Sequence, residues 1–148
     1  MRKYIPFILI LMMLLLIFGS SSINGPVSYN ASGAIAGAVK KLMAILGDDN
    51  YSVSTIEIII RKFAHFVEYL LLTVLLSIGF SNIMRNKWLS IIISGFIGFA
   101  VSLLDEGFIQ AASSRNSSIF DIFVDLSGIA AGMLVLVIFF VLSVRIKK

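Results

Sequence analysis

Apolar residues fall into four long runs along the chain, separated by polar connections. The runs cover residues 4–18, 63–80, 88–104 and 126–144. A helix that crosses a bilayer needs about 20 residues, with a range of about 17 to 25. The last three runs therefore predict transmembrane helices. The first run is short and would also suit the core of a signal peptide. Because no clear cleavage site follows it, we expect a retained helix.

The longest connection lies between the first two runs, over residues 19–60. Its first part is rich in Ser, Asn and Gly, which is typical of a loop. Residues 34–46 then place apolar side chains at helical spacing, with Lys40 and Lys41 on the opposite side. We expect a short amphipathic helix in this first outer loop. It either lies on the membrane surface or packs over the mouth of the bundle.

Composition supports an all-α, polytopic membrane protein with four transmembrane helices. Hydrophobic residues make up 59% of the 148 residues, and the mean hydropathy is +1.02. Soluble domains are usually about 45–50% apolar. The length predicts a single transmembrane domain over residues 1–148. The chain has no cysteine, which excludes disulfides and cysteine-ligated metals.

The distribution of charge predicts the topology. The net charge is +4, and many basic residues flank the apolar runs, as the positive-inside rule describes. With both termini and the connection 81–87 in the cytoplasm, seven of the twelve basic residues and no acidic residue lie on that side. We therefore expect cytoplasmic N- and C-termini. This pattern suits a membrane protein and gives no reason to expect nucleic-acid binding.

Ionisable residues crowd one end of three predicted spans. Charged groups against a bilayer are costly, so they usually face a protein interior or a wet cavity. Helical spacing puts several of them on shared faces. Below them lie small residues that let helices approach closely, namely Ser94, Gly98 and Ser102 in the third span and Gly128 and Gly132 in the fourth. We therefore expect the helices to gather these groups into one polar pocket near the outer leaflet. The groups are Arg61, Lys62, His65, Glu68, Tyr69, Asp105, Glu106, Gln110, Arg115, Asp121 and Asp125.

Several chemistries suit such a pocket. An imidazole among carboxylates is typical of general acid–base catalysis, and the candidate catalytic residues are His65, Glu68, Asp105, Glu106, Asp121 and Asp125. The ligand-binding candidates are Arg61, Tyr69, Gln110 and Arg115. The two arginines could bind a phosphate or carboxylate group of a ligand. We predict no cofactor, although carboxylates would suit a divalent cation such as Mg²⁺.

Several of these residues also have a structural interpretation that requires no ligand or catalysis. Lys62 would serve as an anchor at the membrane interface. Asp121 would cap the fourth helix, since Ser118 and Asp121 resemble a capping box. His65 and Glu68 would form a local pair that makes a polar helix end tolerable.

Together these residues resemble the VanZ-like family. The matching segments are Arg61-Lys62-x-x-His65-Phe66-x-Glu68-Tyr69 and Asp105-Glu106-x-x-x-Gln110, followed by Arg115, Asp121, Asp125, Gly128 and Gly132. The family is named for a teicoplanin-resistance protein of glycopeptide-resistant bacteria. The resemblance implies a small protein of the bacterial inner membrane that is linked to envelope-targeting antibiotics. One departure is Ser113-Ser114 before Arg115, where many relatives have Pro-Gly.

The resemblance and the polar groups lead to two functional hypotheses. In the first, the protein binds an amphipathic cell-envelope molecule, such as a lipid-linked cell-wall precursor or a lipoglycopeptide. In the alternative, it is a membrane-embedded hydrolase or transferase that acts on a lipid-linked substrate through His65 and the carboxylates. A transporter is less favoured, because no ionisable residue falls near the middle of a span and no inverted repeat is visible. Membrane lipids are expected partners, and the sequence leaves the oligomeric state open.

Overall fold

The part of the chain that the structure describes is almost entirely helical. The structure, a computed structural model, describes residues 4–22, 25–45, 50–109 and 119–146. Four of its helices are long and apolar enough to cross a membrane, which confirms the predicted all-α membrane fold. The elements are α1 (Ile5–Ser22), α2 (Gly25–Ile45), α3 (Val53–Ser81), α4 (Lys87–Leu104), a π-helical turn (Asp105–Ile109) and α5 (Ile119–Ile146).

Three membrane-spanning helices extend beyond the apolar runs that predicted them. α1 continues to Ser22, and α3 begins at Val53 rather than at residue 63. α5 begins at Ile119, ahead of the apolar run at residue 126, as the resemblance of Ser118 and Asp121 to a capping box predicted. The start of α3 is capped by Ser52, whose hydroxyl accepts a 3.2 Å hydrogen bond from the backbone amide of Thr55. This bond satisfies a donor that the first helical turn leaves open. A cap therefore sets this boundary where hydrophobicity gives no signal.

The helix in the first connection is longer than expected. α2 begins at Gly25, so the prediction of a loop was wrong for residues 25–33. Proline is tolerated in the first turn of a helix, and Pro26 lies there. α2 packs against α3, and Ala36 is buried. A Cβ atom added to Gly33 would lie 3.3 Å from Glu57 Oε1 on α3. Small residues thus face α3, and the apolar side chains of α2 remain exposed: Ile35, Leu42 and Ile45.

α3 is the central helix of the bundle, because it contacts α1, α2, α4 and α5. The buried apolar core lies around it and draws on all four membrane-spanning helices. Large apolar side chains on the outer faces are exposed, as expected of surfaces that face lipid. The core residues are Ile10, Ile17, Tyr69, Leu72, Leu76, Val101 and Ile129.

Glycines bring α3 and α5 into close backbone contact. A Cβ atom on Gly128 would lie 2.3 Å from the carbonyl oxygen of Phe66, and one on Gly132 would lie 2.9 Å from that of Leu70. Small residues at this spacing are a common device for packing membrane helices. The contact matters for the candidate site, because it holds Asp125, one turn from Gly128, against α3.

The two ends of the bundle differ in character. α1 ends beside the π-helical turn, where Ser21 contacts Asp105. α3 continues for about 18 Å from His65 to its first residue, Val53. At the opposite end, beyond Ser81, which lies about 24 Å along α3 from His65, an open groove of about 480 Å³ is lined by Arg85, Asn86, Lys87, Trp88 and Phe140. Basic and aromatic residues are typical of a membrane interface. Among the residues that the structure describes, the acidic side chains thus lie toward the other end.

Candidate functional site

Polar side chains from all four membrane-spanning helices meet where α1 and α4 end. His65 lies on α3, Asp105 and Glu106 lie on the π-helical turn, and Asp125 lies on α5. The group therefore forms only when the helices pack. We call the set His65, Glu68, Asp105, Glu106 and Asp125 the carboxyl cluster. Two hydroxyl groups contact it, from Ser21 in α1 and Ser102 in α4.

His65 lies between two carboxyl groups. Its Nδ1 atom is 3.7 Å from Glu68 Oε2, one turn along α3, and 3.9 Å from Asp125 Oδ1 on α5. These separations exceed a normal hydrogen bond but place the ring within ion-pair range of both acids. The side chains of His65 and Glu68 are 13% and 16% exposed. They form the accessible edge of an otherwise enclosed group.

Asp125 is the most firmly oriented member of the cluster. Its side chain is only 1% exposed, and its Oδ2 atom accepts a 2.7 Å hydrogen bond from the Ser102 hydroxyl. Its Oδ1 atom, which faces His65, has no hydrogen-bond partner within the described ranges. A buried carboxylate oxygen without a hydrogen bond is costly. Asp125 therefore presents one bonded oxygen to α4 and one oxygen to the interior of the cluster.

The π-helical turn carries the next two acids. Asp105 is fully buried and Glu106 is 2% exposed, although neighbouring residues of an α-helix point about 100° apart. The turn begins at Asp105, where the chain leaves regular α-helical geometry. Turns of this kind occur frequently at functional sites. The sequence predicted that the third span continues past residue 104, but it did not predict this geometry.

The acids are close enough to act on one another electrostatically. Asp105 acts on Glu68, and Glu106, Asp105 and Asp121 act on Asp125. Burying charge is costly unless it is paired. Bringing several acidic side chains together at this end of the bundle is therefore unfavourable for folding. Within the described ranges, no three His, Asp or Glu residues are arranged to hold a metal ion. The carboxyl oxygens of the cluster can accept hydrogen bonds.

Tyr69 borders the cluster from the core side. Its side chain is fully buried, and the charges of Asp125, Asp105, Glu106 and Glu68 act on its hydroxyl group. The structure shows no hydrogen-bond partner for this hydroxyl among the residues it describes. Tyr69 was predicted as a ligand-binding residue, and it is placed beside the acids rather than at an outer surface.

Asp121 and Lys62 form a separate contact at the rim. The Lys62 ammonium group pairs with Asp121 Oδ1 across α3 and α5 and lies 4.7 Å from the centre of the Phe120 ring. The sequence offered Lys62 as a membrane anchor or as a contact for an anionic ligand group, and in the structure it pairs with Asp121 of the adjacent helix. The sequence feature that could have predicted this pair is the opposite charge of Lys62 and Asp121, each of which lies just before an apolar span.

The remaining candidates divide between surface and undescribed positions. Arg61 is exposed at the start of the polar face of α3. Gln110 and Arg115 lie outside the described residues. The structure therefore brings together six of the predicted residues, which are His65, Glu68, Tyr69, Asp105, Glu106 and Asp125. It also adds two residues that were not predicted as site residues, Ser21 and Ser102.

A comparison with known protein families assigns the chain to one of them. The sequence model described as VanZ/LLP1 matches residues 6–140. The chain belongs to the VanZ/LLP1 family. The match spans α1 to most of α5 and includes every candidate residue, which confirms the predicted resemblance. VanZ-like proteins are associated with glycopeptide resistance at the level of the family. No curated protein and no solved structure matches this VanZ/LLP1 protein significantly.

Proposed function

We propose that this VanZ/LLP1 protein binds an amphipathic cell-envelope molecule at the carboxyl cluster. The protein would lie in the bacterial inner membrane, with both termini in the cytoplasm and the cluster toward the outer leaflet. The observation that carries the proposal is the convergence of four carboxyl groups around His65, all buried or nearly so. Ionisable groups gathered in this way inside a membrane protein mark functional sites more often than structural ones.

The chemistry of the cluster supports a particular kind of ligand head group. Carboxyl oxygens accept hydrogen bonds, so a complementary head group supplies donors such as ammonium groups, amides or sugar hydroxyls. The inward-facing Asp125 Oδ1, which lacks a described hydrogen-bond partner, is one acceptor for such a donor. His65 and Glu68 provide the accessible edge from which the head group enters.

The surface beside the cluster is suited to the apolar part of the ligand. Phe63, Ile119 and Phe120 are exposed and lie on α3 and α5 next to the Lys62–Asp121 pair. An acyl chain in the outer leaflet would contact these side chains while its head group reaches the acids. A lipoglycopeptide combines an acyl chain with sugars and amino groups. A lipid-linked cell-wall precursor carries phosphates as well, which the acids repel and for which exposed Arg61 is a cationic contact.

An antibiotic-susceptibility assay tests the proposal. Bacteria that express the protein should be protected against teicoplanin, which carries an acyl chain, more than against vancomycin, which lacks one. Protection should fall with Asp125→Asn and persist with Glu57→Gln. Glu57 is a buried carboxyl group about 16 Å along α3 from Glu68. Equal protection by both variants at equal membrane expression would contradict the proposal.

A second candidate function is catalysis on a lipid-linked substrate. It is favoured by the series Ser102, Asp125 and His65, in which a hydrogen-bonded carboxylate lies 3.9 Å from the imidazole. A carboxylate placed in this way can orient a histidine that accepts a proton from an attacking water or hydroxyl and returns it to the leaving group. Catalytic hydrogen bonds are often long in ligand-free structures.

His65→Gln separates the two candidates. Glutamine keeps hydrogen-bonding capacity but cannot exchange a proton at neutral pH. An enzyme carrying this substitution should lose the resistance phenotype and keep ligand affinity. A binding protein should lose both or neither. Purified protein that converts no envelope lipid, with or without Mg²⁺ or Mn²⁺, would count against catalysis.

A further inference from the structure

We propose that α1 is a permanent part of the carboxyl cluster and that Ser21 is a positioning residue for Asp105. The Ser21 hydroxyl donates a 2.9 Å hydrogen bond to Asp105 Oδ2, and the contact joins residues 84 positions apart. Both side chains are fully buried. This inference rests on the proposed function, because it assigns Asp105 to the binding site.

The packing of α1 supports this role along the whole helix. Ile10 lies against Gly79 near the C-terminal end of α3. A Cβ atom added to Gly79 would lie 3.2 Å from the Cδ1 atom of Ile10. Ile17 is fully buried and belongs to the apolar core. Ile10 and Ile17, two helical turns apart, thus fix the position of α1 along α3. This packing places Ser21 beside the π-helical turn. A cleaved leader would leave this face of α3 and the acid at Asp105 uncovered.

The neighbouring serine shows that the bond of Ser21 is specific. Ser22 donates to the Phe18 carbonyl of its own helix, at 2.7 Å, and is exposed. Such local bonds are common for serine in membrane helices. The chain therefore offers a matched control one residue away, which has the same side chain, the same helix and no contact with the cluster.

The experiment uses the full chain in lipid nanodiscs, with teicoplanin as the probe. Intact mass should show that residues 5–22 remain in protein isolated from membranes. Ser21→Ala should weaken teicoplanin binding by about tenfold, because the Asp105 carboxyl group loses the hydrogen bond that orients it. Ser21→Thr should restore binding, and Ser22→Ala should leave it unchanged.

A stability cycle separates this inference from the proposed function. The loss of thermal stability caused by Ser21→Ala should shrink when Asp105 is already Asn, while the effect of Ser22→Ala should be the same in both backgrounds. If the wild-type protein binds no teicoplanin but the cycle shows coupling, the proposed ligand is overturned and the tie between Ser21 and Asp105 stands. Absence of coupling, or a mature protein that lacks α1, would overturn the inference.

Discussion

Ser102 in α4 donates a 2.7 Å hydrogen bond to Asp125 in α5, and both side chains are buried. The bond holds one carboxylate oxygen of Asp125 and turns the other toward His65, 3.9 Å away. Three helices are thereby joined through one side chain. Ser102 was predicted only as a small residue for helix packing, and its contact shows that packing and site geometry depend on the same positions.

Ser102→Ala should destabilise the protein and weaken ligand binding together. Removing a hydroxyl that donates to a buried carboxylate costs about 1–3 kcal/mol, and the freed carboxylate can turn away from His65. The measurements are the free energy of unfolding and the affinity for teicoplanin in nanodiscs. Ser94→Ala is the control, because Ser94 is buried on the same helix but donates to the carbonyl of Ser90. Equal affinities for the two variants would show that Ser102 does not orient the site.

Gly128→Ala should separate α3 from α5. The added Cβ atom would lie 2.3 Å from the Phe66 carbonyl oxygen, and two backbones cannot adjust as a flexible side chain can. Overpacking of this kind costs about 1–3 kcal/mol. Gly19→Ala on α1 is the control, since it meets nothing within 4 Å. Thermal melting in detergent compares the variants, and equal melting temperatures would contradict the close contact.

The Lys62–Asp121 pair should contribute little to stability. Its side chains are 29% and 22% exposed, and pairs near a surface are worth at most about 1 kcal/mol. A double-mutant cycle with Lys62→Met and Asp121→Asn measures the coupling free energy. We expect a value below about 1 kcal/mol and resistance close to that of the wild-type protein. Loss of resistance with Asp121→Asn alone would return Asp121 to the site as the sequence predicted.

The proposed topology predicts opposite labelling of the two ends of α3. Tyr51 and Ile83 are exposed beyond these ends, and the chain has no other cysteine to interfere. On intact cells, an impermeant maleimide should label Tyr51→Cys and should label Ile83→Cys only after permeabilisation. The reverse pattern would place the carboxyl cluster toward the cytoplasm and exclude binding at the outer leaflet.

Hydrophobic runs predicted the four spans, but not where their helices end. Helix ends carry polar residues whose caps and contacts decide the boundary, as Ser52 does for α3. α2 shows the same limit. Its Ser-, Asn- and Gly-rich start resembles a loop, yet small residues suit a helix that packs closely on α3.

Helical spacing and the glycines of α5 predicted that His65, Glu68 and Asp125 would converge. The approach of α5 to α3 at Gly128 follows from that pattern. The contribution of Ser21 could not be predicted, because one serine in a run of three has no distinguishing signal. The π-helical turn at Asp105 was also missed, since it follows from tertiary packing rather than from local sequence.

The central claim is that the carboxyl cluster is a binding site rather than a structural feature. Its most direct test is the dissociation constant for teicoplanin, measured in nanodiscs for the wild-type protein, Asp125→Asn and Glu57→Gln. Asparagine replaces one carboxyl oxygen of Asp125 with an amide nitrogen and changes the shape of the side chain little. We expect Asp125→Asn to lower affinity at least tenfold, about 1.4 kcal/mol, while Glu57→Gln binds as the wild-type protein does. Unchanged affinity in a folded Asp125→Asn protein would contradict the claim.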